Sequence, residues 1–173
     1  MNSASKVLKT KPGDVFLVPV DEHRSYVGQI IDKKRVVLYI VIFDSLVDND
    51  SPLSVKLDAL GSRPILGGLT LDARFRPGMW EIVANAPSDG SRYLPAYKTG
   101  AVDLDNVMVE SFDGRKRRPA TIIEAETLPF RTTHAPIGFE NAAKAYAGLA
   151  DWEDRFDELV QRNNATTHDL FGN

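Results

Sequence analysis

Hydrophobic positions in the first half of the chain come in short blocks separated by polar turns. "GDVFLVPV", Gly13 to Val20, is mostly apolar behind a Pro12-Gly13 turn, and "SYVGQIID" resumes after the interruption "DEHR". Side chains alternate sides along a strand, so Tyr26, Gly28 and Ile30 fall on one face of that second block. Lys33-Lys34 marks the next turn. The run Val36 to Phe43, "VVLYIVIF", is rich in β-branched residues and suits a buried strand. Three such blocks joined by short turns predict an antiparallel meander.

Beyond Phe43 the pattern dissolves into "DSLVDNDSPLS", read as an acidic loop because aspartate, asparagine and proline favour turns. Val55 to Leu71 mixes helical and strand signals around Gly67-Gly68, and is expected to be irregular or short. A strand is predicted over Met79 to Ala84, entered through Pro77-Gly78. "YLPAYKTG" reads as a short edge strand, because Pro95 lacks the N–H that an interior strand needs. In "NVMVESFDGRKRRPATII" Val107, Val109 and Ser111 alternate with Met108, Glu110 and Phe112 ahead of Asp113-Gly114, a strong hairpin signal.

The period then changes. Phe139, Ala142, Ala143, Tyr146 and Leu149 form one apolar helical stripe. Pro136 disfavours helical angles at Ala135, so this helix is expected to begin near Ile137 or Gly138. Thr132, Thr133 and His134 stand where their side chains can serve the helix start. A second helix is predicted from a cap at Asp151, burying Trp152, Phe156, Leu159 and Val160. Glu158 and Arg162, and Asp151 and Arg155, are each four apart, the spacing of an exposed salt-bridged face. The expectation is an α+β fold: a strand-rich, strongly bent antiparallel sheet, with barrel-like closure left open, followed by two C-terminal helices.

At 173 residues and 43% hydrophobic, the chain can bury one sizeable core, so a single domain over 1–173 is expected. Its core would span about 11–161, with 1–10 and 163–173 as flexible tails. With no cysteine, neither a disulfide framework nor a thiolate metal site can form. The N-terminus shows no apolar signal segment, and the longest apolar run is too short for a membrane helix of about 20 residues. A cytoplasmic location without membrane contact is the expectation. The formal net charge of −3 argues against a dedicated nucleic-acid binder, which needs a basic face.

The candidate chemistry is sparse. His23, His134 and His168 have no metal-ligand spacing, so no metal is expected. His134 stands among hydroxyls and Arg131, yet no Ser or Cys lies in a nucleophile elbow, so a structural role is favoured over catalysis. "GRKRR", Gly114 to Arg118, reads as a charged edge that deters sheet-to-sheet association rather than as a nucleic-acid patch. Gly67-Gly68 lacks the lysine and serine of a phosphate loop, and no cofactor is expected. The carboxylates of Glu153, Asp154, Asp157 and Glu158 read as a solvated face. Asp44, Asp48 and Asp50 match a calcium loop poorly; a solvated loop and a docking surface for a basic protein partner both remain open, and these aspartates are the candidate contact if there is such a partner.

The order of segments carries more. "KPGDVFLVPVDEHRSYVGQII", "VVLYIVIFD", "WEIVANAP", "LPAYK" and "EAETLPFRTTHAPIGFENAAKAYAGLADWEDRFDEL" follow one another as in the immunity protein 26 family of bacterial polymorphic toxin systems, which the chain resembles from about Lys11 to Leu159. The shared features are a "PGD" turn before an apolar strand, a glycine before glutamine and an aliphatic pair, and a proline–aromatic turn leading to a "PIG" helix start. Val47 to Arg76 departs from that pattern. The resemblance implies a non-catalytic protein that binds and neutralises a toxin domain delivered between competing bacteria. Two other readings stand beside it. One is an RNA-cleaving toxin built on an SH3-like barrel, which "PGDVFLVPV" also resembles and for which Arg24 is the residue to test. The other is a general interaction module using the acidic loop, Trp80 or Trp152, although both tryptophans are more simply read as core.

Overall fold

The computed structural model describes residues 9–100, 106–161 and 165–172. Its elements in chain order are β1 (Asp14–Pro19), β2 (Arg24–Lys34), β3 (Val37–Asp48), α1 (Leu53–Asp58), β4 (Pro64–Leu71), β5 (Ile82–Asn85), α2 (Gly90–Tyr93) and β6 (Tyr97–Thr99). There follow β7 (Met108–Glu110), β8 (Arg117–Pro119), α3 (Ile122–Thr127), β9 (Thr133–His134), α4 (Pro136–Tyr146) and α5 (Thr167–Phe171). The fold is α+β, as the pattern predicts. The chain groups into two compact units, one from 1–88 and 133–161 and the other from 89–132 and 162–173. Among the described residues no helix is long and apolar enough to cross a membrane.

The first unit holds a six-stranded sheet in the order β5-β1-β2-β3-β4-β9. β1 to β4 form the antiparallel meander, and β9 joins β4 in parallel. Both faces are covered, which explains why β1 is apolar from Val15 to Pro19. Phe16 and Val18 face Trp80, Phe75 and Phe139, whereas Val15 and Leu17 pack with Val27, Val47 and Ala59. Register shifts at Tyr26/Gly28 and Ile30/Asp32 interrupt the β2–β3 ladder, and such bulges bend a sheet. The sheet does not close into a barrel. Closure needs the two outer strands to pair, and here they are the short β5 and β9, each bonded to one neighbour only.

Four local expectations are corrected. β3 does not end at Phe43 but runs on to Asp48, because Arg24, Ser25 and Tyr26 continue its ladder opposite Asp48, Val47 and Leu46. Val55 to Leu71 is not irregular: it contains the end of α1, a 3-10 turn at Ala59–Gly61 and all of β4. The paired glycines that obscured β4 serve close packing. A Cβ on Gly68 would stand 3.3 Å from the Phe139 ring, and one on Gly67 would collide with the Gln161 side chain. The strand expected from Met79 begins at Ile82 instead. Met79 and Trp80 belong to the preceding turn, from which Trp80 enters the core and donates through Nε1 to Glu140 (3.2 Å).

The fourth correction concerns the C-terminal helices. α4 starts at Pro136, earlier than expected, with proline in the first turn where its missing N–H costs nothing. The N-cap is Ala135, and no side chain caps this helix, so Thr132, Thr133 and His134 do not play the part expected of them. Instead the main-chain oxygen of His134 accepts from the Thr70 hydroxyl (2.9 Å). The second helix is only a 3-10 segment, Asp154–Leu159. Phe156 and Leu159 are buried, but Trp152 is 40% exposed and donates to Asp157. After Leu159 the backbone turns extended and bonds to β4 instead: Val160 bridges Leu66, and the Gln161 N–H donates to the Ile65 oxygen (2.9 Å). Arg155 pairs with Glu153 (2.7 Å), and Arg162 lies outside the described residues.

The second unit holds the three-stranded sheet β6-β7-β8. Its core is Ala96, Val109 and Leu128, with Ala165, Leu170 and Phe171 packed against them. The hairpin expected at Asp113-Gly114 is present, although its loop is wider than two residues, since the last pair is Glu110 with Arg117. Ser111 and Asp113 organise that loop: the Ser111 hydroxyl donates to Asp113, and Asp113 accepts from the Arg115 N–H. β6 is an edge strand in that sheet, as Pro95 predicts.

Candidate binding site

The three aspartates proposed for a partner lie in different settings. Asp44 is a half-buried β3 residue that accepts from Arg63 Nε (2.9 Å) and from the Tyr146 hydroxyl (3.2 Å). Arg63 also donates to that hydroxyl (2.7 Å), so the three side chains form a closed ring. Asp48 and Asp50 are exposed at the end of β3 and in the turn after it. At about 3.3 Å per residue, Asp44 and Asp48 stand about 13 Å apart along the strand. They therefore form two separate features, a structural ion pair and an open acidic turn.

That turn is well pinned. Asn49 donates its backbone N–H to the His23 oxygen (2.7 Å) and accepts from the Ser25 hydroxyl (2.7 Å). Lys56 Nζ donates to the Asn49 oxygen (2.8 Å). Leu46, Leu53 and Val55 are exposed on β3 and α1 on either side of the turn. The turn thus presents two exposed carboxylates, Asp48 and Asp50, with exposed apolar side chains beside them.

The histidines take no part in a common site. His23 is exposed in the β1–β2 turn, His168 is exposed in α5, and His134 packs edge-on against Phe139 with ring centroids 6.3 Å apart. Among the described residues no cluster of His, Asp and Glu could hold a metal ion. Arg24 is held by Asp21, whose carboxylate also accepts its backbone N–H (2.7 Å). The His23 N–H and the Arg24 guanidinium keep the Asp21 carboxyl below its ordinary pKa.

The basic run is engaged within its own unit. Arg115 pairs with Asp113, Arg117 with Glu110, and Arg118 with Glu124 through two parallel bonds of 2.8 Å. The Arg118 fork draws the Glu124 carboxyl down to about 2. β8 is the outer strand of its sheet, and Pro119 removes one of its edge donors, so the charges do sit on an edge.

One feature of the second unit has no counterpart in the sequence reading. Arg131 lies over the Tyr97 ring, 4.3 Å from its centroid, and 5.8 Å from that of Phe112. Its Nη2 donates to Glu110 (3.0 Å) and to the Ser111 oxygen (3.2 Å). Glu110 is shared with Arg117, and the two arginines, Arg117 first, hold its carboxyl below the ordinary value. Tyr97, Lys98, Thr99, Gly100, Glu110, Phe130 and Arg131 line a half-open cleft of about 300 Å³. The signal in the sequence was Arg131 itself, but Glu110 and Ser111 are 20 or more residues upstream, and the β6–β7 pairing together with the Lys98–Phe130 bridge brings them to it.

No protein-family model, curated protein or solved structure matches the chain.

Proposed function

We propose that this is an immunity protein: it binds a toxin domain and neutralises it by occupying an essential surface, without catalysis of its own. The observation that carries the reading is the order of segments from Lys11 to Leu159, the property in which the chain resembles the immunity protein 26 family. Those segments coincide with β1, β2, β3, β5, β6 and α4, so the likeness runs along the folded framework rather than through one loop. The acidic turn is the proposed contact. Asp48 and Asp50 steer a basic toxin surface, and Leu46, Leu53 and Val55 supply the desolvated contact beside them. Asp44 contributes through its ring with Arg63 and Tyr146, which fixes the strand that presents the turn. The protein acts where the toxin would act, inside the producing cell.

The test is co-expression with the toxic domain encoded beside this reading frame. Growth rescue and a stable complex are expected. Failure of both growth rescue and complex formation would refute the reading.

A further inference from the structure

We propose that the tip of the β2–β3 hairpin docks on an anionic lipid bilayer, held by unpaired cations and entered by an aliphatic side chain. The proposal is independent of toxin binding and concerns the first unit alone. Surface contact needs no spanning helix, so it replaces the sequence expectation of no membrane contact without requiring one.

Nearly every described lysine and arginine side chain meets a carboxylate, another oxygen or an aromatic ring. Among the described residues the exceptions are Lys9, Lys11, Lys34 and Arg35, all exposed. They share one corner. Lys33 Nζ donates to the Thr10 main-chain oxygen (2.6 Å) and hydroxyl (2.9 Å), which places Lys9 and Lys11 beside the end of β2. The nearby carboxylate of Asp14 is taken up by the Lys11 N–H (2.9 Å) and the Asn85 side chain (3.0 Å), and Asp32 is half-buried on β2. Free positive charge is thus concentrated at one corner of a chain whose formal net charge is −3.

The backbone gives a second, independent sign. Arg35 and Val36 form the two-residue turn between the paired Lys34 and Val37, and Arg35 has a φ of 59°. Tight hairpin turns need a positive φ, which glycine adopts with least strain. Arg35 is the one non-glycine residue with a positive φ among the described residues. Its side chain makes no bond there that accounts for the choice, so a cation is kept at this tip despite the strain.

The neighbouring side chains set the partner. Val36 is 46% exposed, and Leu71, opposite Val37 at the end of β4, is 38% exposed. Aliphatic side chains gain little from a sugar-phosphate backbone, and the segments that form the corner carry no exposed aromatic ring for a base to stack on. Lysine is depleted in protein interfaces, whereas lipid headgroups need only point charges, and Lys9, Lys11 and Lys34 are lysines. The acidic turn does not oppose the contact. Asp48 pairs with Arg24 at the far end of the hairpin, about 33 Å from Lys34 at strand spacing and several screening lengths away.

The test is co-sedimentation of the full chain with vesicles of equimolar phosphatidylglycerol and phosphatidylcholine, and with vesicles of phosphatidylcholine alone. Binding is expected to the anionic vesicles only, and should fade as salt rises. Arg35→Gly should weaken it about fivefold, the effect of one basic residue near such a surface, while the denaturant midpoint stays or rises because glycine relieves the turn. Lys34→Glu combined with Arg35→Glu should abolish it, and Val36→Asp should weaken it several-fold. A single-stranded oligonucleotide and a polyglutamate peptide are the competing partners, each expected to bind less tightly than the vesicles. Absence of binding to anionic vesicles at low salt, equal binding to neutral ones, wild-type binding by Arg35→Gly, or tighter binding of either competitor would each overturn the proposal.

Discussion

Single residues set the tolerances of this protein. Gly28 is the sharpest case: a Cβ there would stand 2.5 Å from the tip of the Phe16 ring, which packs edge-on to Phe75 and stacks on Trp80. Neither neighbour can yield, because Phe75 and Trp80 are fully buried. Gly28→Ala is therefore expected to destabilise by about 1–3 kcal/mol, the usual cost of overpacking a core. A lower denaturant midpoint with an unchanged slope would verify it, and an unchanged midpoint would refute it. Glu124 makes the second prediction at this scale. Its carboxyl is lowered from 4.5 to about 2, first by the Arg118 fork and then by its bonds to Thr121. A depressed folded value means that the contribution is complete above the unfolded carboxyl range and is lost as pH falls from about 4.5 to about 2. Glu124→Gln should flatten the acid limb of stability in that window, and a wild-type acid limb in the variant would contradict the assignment.

At the scale of elements, α4 and its floor carry the first unit. Phe139 is fully buried against Gly68, so Phe139→Ala is expected to cost about 3–5 kcal/mol, read from the same denaturant curves. A loss under 1 kcal/mol would show that the α4–β4 contact matters little. Elements whose pattern is local were legible in the sequence. β1, β2 and the core of β3 announce themselves by apolar runs, and α4 by its stripe at 3.6-residue spacing. Elements that depend on partners were not. β4 looked broken because of its two glycines, which lie close against Phe139 and Gln161, residues far along the chain. The last five residues of β3 looked like a loop because Asp44, Ser45 and Asp48 are polar, yet pairing with β2 holds its end extended. The second terminal helix failed for the converse reason: the pattern of Phe156 and Leu159 is helical, but Val160 and Gln161 find hydrogen-bond partners on β4. The Arg131 cleft was invisible for the same cause, since its parts meet through the β6–β7 pairing and the Lys98–Phe130 bridge.

For the whole molecule the central claim is protection by binding. Immunity of this kind requires a fast encounter, and in the proposed function the exposed pair Asp48 and Asp50 is assigned the steering charge. Reversing both to lysine should slow association with a basic toxin domain several-fold at low salt and change dissociation little, with the difference shrinking as salt screens it. Association rates that match wild type at every ionic strength would remove the acidic turn from the interface. The framework behind that turn should be unaffected, because Asn49, rather than either aspartate, bonds to the His23 oxygen and the Ser25 hydroxyl. The most direct test of the account is growth of cells expressing the toxic domain from the adjacent reading frame, with and without this protein. The account predicts that growth is restored and that the two proteins co-purify as a stable complex. Continued killing in the presence of folded, abundant protein would contradict it.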